Sequence, residues 1–515
     1  MSRRKMQMDL IEAERHQRYE AATSKEAGPV AASRGVLPFV TRVDQENDTV
    51  TGRAGLPLVV EAFRAYRGDD LVKEHLRVKK RARGYDEVEM VEAFLLLMAA
   101  GGEHLEDFTV LGEDGGLCRL LDRRLPSPDA ARAFLLRFHD EGLVEAARSR
   151  ARQAGERSWV PEESAALAAL GRVQAELVTG MADQEGERTV TLDHDATIIE
   201  SSKQSATWHY KGGRGYQPVA VVWAEQNLVV ADEFRDGNVP AGKDNLRLIK
   251  RAFQVVPEQV SERRFRADSA CYEERVLKWL ADPERDGGPR GEIGFTISAD
   301  ISRELRAVCE TVQEEDAPGG DERPRWHLLD ETRASEVVEW SEVEFTPGNW
   351  PKSAQPLRYL VVRFTKRQGA LYADGQQHKH LAVVSNRMGA GDALIRWHWK
   401  KAGTIEHVHD ETKNGLGAGV LPCAELGANA AWYRLAMLTY NVLTIVKRET
   451  LPPSEQHAKP KRVRFLVFDL AARLTHHART LYAHLKAAAI ARIDLVLARH
   501  RLHQRRRWKL RPAPA

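Results

Sequence analysis

The chain has 515 residues, which at about 150 residues per domain suggests roughly three structural units. Lysine and arginine together number 77 and aspartate and glutamate 74, so the formal charge is 77 − 74 = +3. This small value excludes nucleic-acid binding by the bulk charge of the whole molecule, so any basic function must be local. Hydrophobic residues are 43% and charged residues 29%, which excludes a chain that is disordered throughout.

The cysteines and the apolar runs bear on the cellular compartment. The N-terminus has a basic start but no apolar segment behind it, unlike a secretory signal. The densest apolar run, at 91–102, is too short to span a membrane. The four cysteines are far apart without C-x-x-C spacing, which argues against a zinc ribbon or a disulfide framework: Cys118, Cys271, Cys309 and Cys423. We therefore expect a soluble, cytoplasmic protein without membrane contact.

The chain before residue 188 is predicted to consist of an arm followed by helices. Residues 1–55 are polar and aperiodic, which predicts a flexible arm. Over 56–155 apolar residues recur at spacings of three and four, and Ser127 before Pro128 predicts a helix start. A helical linker follows at 156–187. Five basic residues between the first helices indicate either a helical DNA-binding domain or, at equal odds, a plain helical domain with a solvated loop: Arg77, Lys79, Lys80, Arg81 and Arg83.

From residue 188 the hydrophobic period becomes two. The segment TVTLDHDATI alternates apolar and polar residues, which is typical of a strand with one polar face. Strand and helix patterns then alternate to 299, which indicates an α/β core. Residues 300–386 are strand-rich and predict a β-rich insertion, 387–450 predict the second part of the core, and 451–515 predict a basic helical C-terminal region.

Several carboxylates stand out by their context. Asp193 and Asp195 share the polar face of the first strand, about 7 Å apart by strand rise. Asp268 ends a strand pattern directly before a helix, which is where ligand sites lie in α/β sheets. Glu406 lies on a predicted helix with Asp410 at i+4. Each of these side chains is, taken alone, more often a solvated charge or a helix cap.

The order of these carboxylates is more specific than the residues themselves. The chain resembles the DDE transposases of bacterial insertion sequences over most of its length, in the segments LDHDATIIE, YKGGRGYQPV, EFRDGNVPAG, FRADSACY and TIEHVHDETKNG. The resemblance implies an RNase H-like core that carries a β-stranded insertion before its last catalytic residue. It also implies that the catalytic triad is Asp195 of an Asp-x-Thr segment, Asp268 of an Arg-x-Asp-Ser segment, and Glu406.

The last signature of this family, Tyr-x2-Arg-x3-Glu-x6-Lys, is only half matched. Glu406 and Lys413 have the expected spacing. Trp399 stands where Tyr is expected and Ala402 where Arg is expected. The missing Arg removes a phosphate contact that the resemblance implies, but it removes no metal ligand.

Phosphodiester cleavage explains the need for several carboxylates. Two Mg²⁺ ions can activate the attacking oxygen and stabilise the leaving oxygen, and Mg²⁺ prefers carboxylate ligands. The hypothesis is that Asp195, Asp268 and Glu406 bind two Mg²⁺ ions, for which Mn²⁺ substitutes, with Asp193 as a nearby or substitute ligand. The Asp-x-Thr spacing selects Asp195 over Asp193.

Other residues are candidates for DNA contact. Arg235 and Asn238 predict a phosphate-contacting hairpin or, at equal odds, a simple Asp-Gly turn. Lys413 and Trp399 are assigned to DNA through the family signature. The Arg-rich end of the chain indicates either DNA contact or a solubilising tail, and its central residues are Arg505, Arg506 and Arg507.

These interpretations predict a transposase that binds double-stranded DNA, namely terminal inverted repeats and target DNA, and that associates with the nucleoid. Because both ends of an element must be cut together, we expect a homodimer on DNA. The apolar pattern at 471–498 predicts a helix that packs either against a second chain or against the core. The alternatives are a catalytically inactive DNA-binding relative and, less favoured, a two-carboxylate sugar hydrolase.

Overall fold

The computed structural model describes residues 33–34, 40–41, 49–79, 84–315, 323–333, 335–348, 350, 356–367, 371–373, 375–490 and 493–509. For 33–34, 40–41, 183–185, 490 and 507–509 it describes the backbone alone. Most of the predicted arm therefore lies outside the described residues. So do Lys80, Arg81 and Arg83 of the predicted basic loop.

The part of the described chain before residue 188 is mainly helical. Ser127 caps its helix by accepting a hydrogen bond from the Ala130 amide at 3.3 Å, and Pro128 occupies the first turn, as the sequence predicts. The helices are α1 (Leu58–Ala65), α2 (Gly68–His75), α3 (Glu87–Ala100), α4 (Asp107–Gly112), α5 (Gly115–Leu121), α6 (Pro128–Leu135), α7 (Glu141–Gln153) and α8 (Ala165–Glu185). Helix α3 is buried on almost every side because most of its residues are apolar and its buried Glu92 pairs with Arg64 and Arg123.

A mixed nine-stranded sheet forms the centre of the molecule. Its strands, in chain order, are β4 (Thr189–Ala196), β8 (Val219–Trp223), β9 (Leu228–Glu233), β10 (Glu262–Ala267), β11 (Ile293–Ala299), β12 (His327–Asp330), β13 (Glu336–Val343), β14 (Arg358–Lys366) and β15 (His378–Ser385). Across the sheet their order is β12-β13-β14-β15-β11-β10-β4-β8-β9. Strands β4, β10 and β11 are parallel to one another, and the other neighbouring pairs are antiparallel. The α/β fold that the sequence predicts is thus confirmed.

The strand-rich stretch at 300–386 extends this same sheet. Strand β15 pairs antiparallel with β11, so β12, β13 and β14 continue the core sheet outward. A small second core lies under these strands and includes Val338, Leu360 and Val362. The short strands elsewhere are β1 (Ser33–Arg34), β2 (Val40–Thr41), β3 (Val50–Thr51), β5 (Ile199–Glu200), β6 (Thr207–Trp208) and β7 (Arg214–Tyr216).

One long helix ties the N-terminal helices to the sheet. The helices after β9 are α9 (Asn245–Val255), α10 (Glu274–Ala281), α11 (Arg303–Cys309), α12 (Gly391–Trp399), α13 (Ile405–Gly415), α14 (Leu426–Thr450), α15 (Pro460–Val463), α16 (Ala487–Ile490) and α17 (Leu495–Lys509). Helix α14 contacts α1, α3, α8 and β9. Its buried Arg434 bonds to Asp232 of β9 and to Glu163, just before α8, which fixes the two layers together. Among the described helices, none has the length and apolar character that a bilayer crossing requires.

The C-terminal region corrects the prediction of helix throughout 451–515. Strands β16 (Ala472–His477) and β17 (Thr480–Leu485) form an antiparallel hairpin, and β16 also pairs with β3. Ala472 and Leu474 are buried while Arg473 between them is exposed, which is the period of a strand. The two residues of the tight turn, Ala478 and Arg479, both have positive φ, of 49° and 64°. The predicted apolar helix at 471–498 is therefore wrong for its first half.

Candidate active site

Two carboxylates come together at the ends of two neighbouring parallel strands. In the register of β10 with β4, Ala267 lies beside His194. The next residues in the two strand directions, Asp268 and Asp195, therefore stand side by side where the strands end, about 4.8 Å apart by strand spacing. Asp195 is the second-last residue of β4, and Asp268 follows β10 directly.

The electrostatics of this pair indicate a site for a cation. Burial and then the negative charge of Asp195 raise the pKa of Asp268, and Lys401 opposes that rise. The Asp268 carboxylate also accepts a hydrogen bond from the Ala270 amide at 3.1 Å, which holds it at the start of a short 3₁₀ turn. The Lys401 ammonium lies 3.4 Å from Asp195 Oδ2. Two repelling, oxygen-rich groups of this kind fit a hard divalent cation.

Glu406 approaches this site from the helical side. It is exposed in the first turn of α13, a helix that packs against β4 and β8. One turn further along, the ring of His409 is buried, and burial together with Lys401 and Lys413 lowers its pKa to about 3. Within the described ranges, no three His, Cys, Asp or Glu side chains are grouped so that they could hold a metal ion. The structure therefore brings Asp195 and Asp268 together, and the Glu406 side chain does not complete their group.

Asp193 has a different role from the one predicted. Both of its oxygens accept hydrogen bonds from the Arg266 guanidinium, at 2.6 and 2.7 Å, and both side chains are buried. Thr404 also donates to Asp193. Because its oxygens are already bound, this geometry contradicts the prediction of Asp193 as a metal ligand. The ion pair instead joins β4, β10 and the segment that leads into α13.

Arg266 is a residue whose role the sequence reasoning missed. Besides Asp193, it donates to the Trp397 carbonyl at 2.7 Å, and its guanidinium carbon lies 5.0 Å from the centre of the Trp397 ring. Lys401 was missed as well. A signal for Arg266 was available, since an Arg on the polar face of a strand next to an Asp-bearing strand is a candidate ion-pair partner. Lys401 carried no such signal.

Arg235 is wrong as a predicted phosphate contact. It is fully buried, where its guanidinium binds Glu233 at 2.7 Å and Asn245 at 3.2 Å. Asn238 is exposed, and its side-chain amide donates to the Arg157 carbonyl at 3.0 Å. Arg235 therefore supports the end of β9 from inside, while Asn238 remains accessible to a ligand.

The two residues taken from the family signature make contacts within the chain. Lys413 donates to the Ile198 carbonyl at 2.6 Å, just beyond β4, and burial lowers its pKa. Trp399 packs against Phe364, with the Arg333 guanidinium 5.6 Å from its ring centre. Lys413 thus fixes the loop after the Asp-x-Thr segment, and Trp399 packs on the extended part of the sheet.

The predicted basic tail is docked rather than free. In α17, Arg505 bonds to Glu449 at 2.5 Å, and Arg506 binds both oxygens of Asp69 at 3.0 and 2.9 Å. The side chain of Arg507 lies outside the described residues. The contacts of Arg505 and Arg506 therefore stabilise the packing of α17 and do not support the prediction that they bind DNA.

Comparison with known proteins gives a family match. Residues 40–507 match the family described as Transposase DDE domain group 1. Among solved structures, the chain is similar to the piggyBac transposase synaptic complex with hairpin DNA, at 8% sequence identity and a TM-score of 0.40, covering 89% of this chain and 82% of that chain. None of the curated proteins matches the sequence.

Proposed function

Since this chain belongs to the DDE transposases, enzymes that cleave DNA and transfer its strands, we propose that it mobilises a bacterial insertion sequence. In this proposal it binds the terminal inverted repeats as a homodimer, cuts the element from its flanks and joins it to target DNA at the nucleoid. Five strands, β9-β8-β4-β10-β11, supply the RNase H-like core. The three antiparallel strands come first in the chain and the two parallel ones follow, with α9 between β9 and β10.

The observation that carries the proposal is the register of β10 with β4. It sets Asp195 beside Asp268, two residues that are 73 positions apart in sequence, at the carboxyl ends of the two strands. Burial, and then the negative charge of Asp195, raise the pKa of Asp268, as expected of a carboxylate that binds a divalent cation. Asp195 and Asp268 would hold Mg²⁺, or Mn²⁺ in its place, and Glu406 would have to move toward them to act as the third ligand. Two such ions would polarise the scissile phosphate and activate the attacking oxygen.

The remaining residues of the site position these three carboxylates. The Asp193–Arg266 pair fixes β4 against β10, so the spacing of Asp195 and Asp268 is set by a buried ion pair. The hydrogen bond from Thr404 to Asp193 ties the start of α13, and with it Glu406, to the same point. Lys401 partly offsets the charge of the two aspartates.

The test uses Mg²⁺-dependent nicking of a duplex that carries the end of the element. We expect Asp268→Asn and Glu406→Gln to abolish nicking and to leave duplex binding within about twofold, because neither substitution removes a positive charge. Asp410→Asn is the matched control, since Asp410 is on the same helix and its contacts are at the surface, with Lys459 at 2.6 Å and Asn414 at 2.7 Å. Near-normal cleavage by Asp268→Asn or Glu406→Gln would remove that residue from the proposed site.

A second candidate function is that of a DNA-binding relative without catalysis. The contact of Lys401 with Asp195, and Ala402 in the place of the family's Arg, favour it. This candidate predicts specific binding of the element's ends, with no nicking by the wild-type chain in Mg²⁺ or Mn²⁺. Nicking that depends on Asp268 would exclude it.

A further inference from the structure

Two aromatic side chains beside the candidate site are left open to solvent. Trp208 is 62% exposed and Tyr210 is 75% exposed. His209 between them is buried, and both rings line the same open groove. Large aromatic side chains usually contribute to a core or an interface, and these two have solvent on most of their surface.

The backbone that carries these rings is firmly held. Thr207, which precedes Trp208, donates its hydroxyl to the buried carboxylate of Asp236 at 2.7 Å and accepts the Asn238 amide at 2.9 Å. A Cβ at Gly237 would meet the Gly215 carbonyl oxygen at 2.5 Å, which shows how closely the 236–238 turn packs on β7. The rings therefore stand on a preformed support, so little ordering is needed when a ligand binds.

Cations accompany both rings. The Arg214 guanidinium, opposite Trp208 in the pairing of β6 with β7, lies 5.8 Å from the centre of the Trp208 ring. The Lys211 ammonium lies 5.7 Å from the centre of the Tyr210 ring. Aromatic faces interleaved with positive charge are the recognition pattern for a single-stranded nucleic acid, whose bases stack while its phosphates pair with the cations.

One open groove connects the rings with Asp268 of the candidate site. Its lining includes Trp208, Tyr210 and Asp268, together with Arg157 and Asn238. A strand lying in this groove would pass from the aromatic rings to the proposed metal site.

We propose that Trp208 and Tyr210 form a stacking platform for unpaired bases of the DNA strand that enters the active site, with Lys211 and Arg214 contacting its phosphates. This inference rests on the proposed function and adds a specificity to it, a preference for unpaired DNA next to the bond that is cut. A paired duplex cannot use the platform, because its bases already stack on one another and do not expose their faces.

The test compares binding of labelled (dT)20 with binding of a 20-base-pair mixed-sequence duplex to the full-length chain in EDTA. We expect Trp208→Ala and Tyr210→Ala each to weaken (dT)20 binding by about tenfold, as one lost base stack implies, and to change duplex binding by less than about twofold. Trp208→Phe keeps a stacking surface and should retain most of the affinity. Tyr482→Ala is the matched control, since this tyrosine is 47% exposed on the distant C-terminal hairpin.

The outcomes separate this inference from the proposed function. Equal (dT)20 affinities for wild type, Trp208→Ala and Tyr210→Ala would overturn the platform, even if the wild-type chain nicks DNA. Selective loss of (dT)20 binding supports the platform even in a chain that does not nick, a result that would count against the catalytic proposal alone. A parallel loss of (dT)20 and duplex binding in Trp208→Ala would also overturn it, because the platform acts on unpaired bases.

Discussion

Asp193 and Asp195 are two residues apart on one strand, yet their surroundings give them different chemistry. Asp193 is neutralised by Arg266 within the sheet, whereas Asp195 lies near the strand end, where it faces Asp268 and Lys401. A buried carboxylate with a bidentate guanidinium partner is a structural element, and removing one partner leaves an uncompensated charge. The two aspartates therefore differ in role because Asp193 lies inside β4 and Asp195 lies near its carboxyl end.

Replacement of Arg266 tests this division. Arg266→Met should lower the free energy of unfolding by about 3 to 5 kcal/mol, because it leaves Asp193 charged, buried and unpaired. Thermal and denaturant unfolding measure the change. Arg264→Met is the control from the same strand, since Arg264 pairs with the exposed Glu262 and its loss should cost less than about 1 kcal/mol. Equal effects of the two substitutions would contradict the structural role of Arg266.

Three buried histidines predict a loss of stability in acid. Burial is the main cause that lowers the pKa of His194, His398 and His409 to about 3. Because a histidine in the unfolded chain titrates near 6.5, their contribution to stability is complete above pH 6.5 and is lost as the pH falls from there toward 3. Each contributes about 1.4 kcal/mol per pH unit, and the three together about 4 kcal/mol per unit.

Substitution of one histidine should make this acid dependence less steep. We expect His409→Leu to reduce the slope of unfolding free energy against pH between 6 and 4 by about 1.4 kcal/mol per pH unit, because one group that binds a proton only in the unfolded chain is removed. Urea denaturation at several pH values measures the slope. His407→Leu, at an exposed position of the same helix, should leave it unchanged. An unaltered slope in His409→Leu would show that His409 is already protonated, or accessible, in the folded protein.

At the scale of elements, the C-terminal hairpin has a turn without the usual sequence signal. The loop between β16 and β17 has two residues, both in the left-handed region, where hairpins usually place Asn-Gly. Here they are Ala478 and Arg479, so the usual turn signal is missing. Pairing with β3 and the burial of Leu474 stabilise the hairpin.

The strain in this turn can be relieved. Arg479→Gly should raise the free energy of unfolding by about 1 kcal/mol, since a left-handed conformation costs roughly that much for a residue with a Cβ and little for glycine. Thermal denaturation measures the gain. Arg473→Gly, at an exposed position inside β16, should have the opposite sign, because glycine weakens a strand interior. A loss of stability on Arg479→Gly would mean that this side chain contributes more than its backbone costs.

At the scale of the whole molecule, the two ends of the chain pack together. Helix α17 contacts α1, Arg506 pairs with Asp69 of α2, and Leu502 is buried. Helix α14 then joins these N-terminal helices to the sheet that holds Asp195. In the proposed function, a DNA end bound by these helices would therefore be mechanically connected to the candidate active site, and the two ends of an element would need the sites of two chains.

The proposed homodimer predicts complementation between two defective chains. A Glu406→Gln chain mixed with a chain that carries both Asp268→Asn and Lys79→Glu is the inactive control, because neither chain then has an intact triad. Paired-end cleavage recovered by mixing a Glu406→Gln chain with a Lys79→Glu chain would show that each subunit cuts the DNA end that its partner binds. Paired-end cleavage by a complex whose mass corresponds to one chain would contradict the dimer.

Local sequence determined the features that depend on neighbouring residues. The helices predicted within 56–187, the cap at Ser127 and the strand that carries Asp195 follow from spacing and capping chemistry within a few positions, and the structure has all three. The order of the carboxylate motifs was sufficient to indicate the family, because the metal chemistry of DNA cleavage restricts those positions most strongly.

Tertiary structure decided which partner each side chain has. Asp193 binds Arg266, which is 73 residues away, and Arg235 is buried against Glu233 and Asn245, so neither is available to metal or DNA. A local pattern makes Arg266 a candidate partner, but strand register brings it to Asp193, and the packing of α9 on β9 brings Asn245 to Arg235. The hairpin at β16 likewise depends on β3, more than 400 residues earlier in the chain. Periodicity and caps are local properties of a sequence, whereas burial and charge pairing belong to the assembled fold.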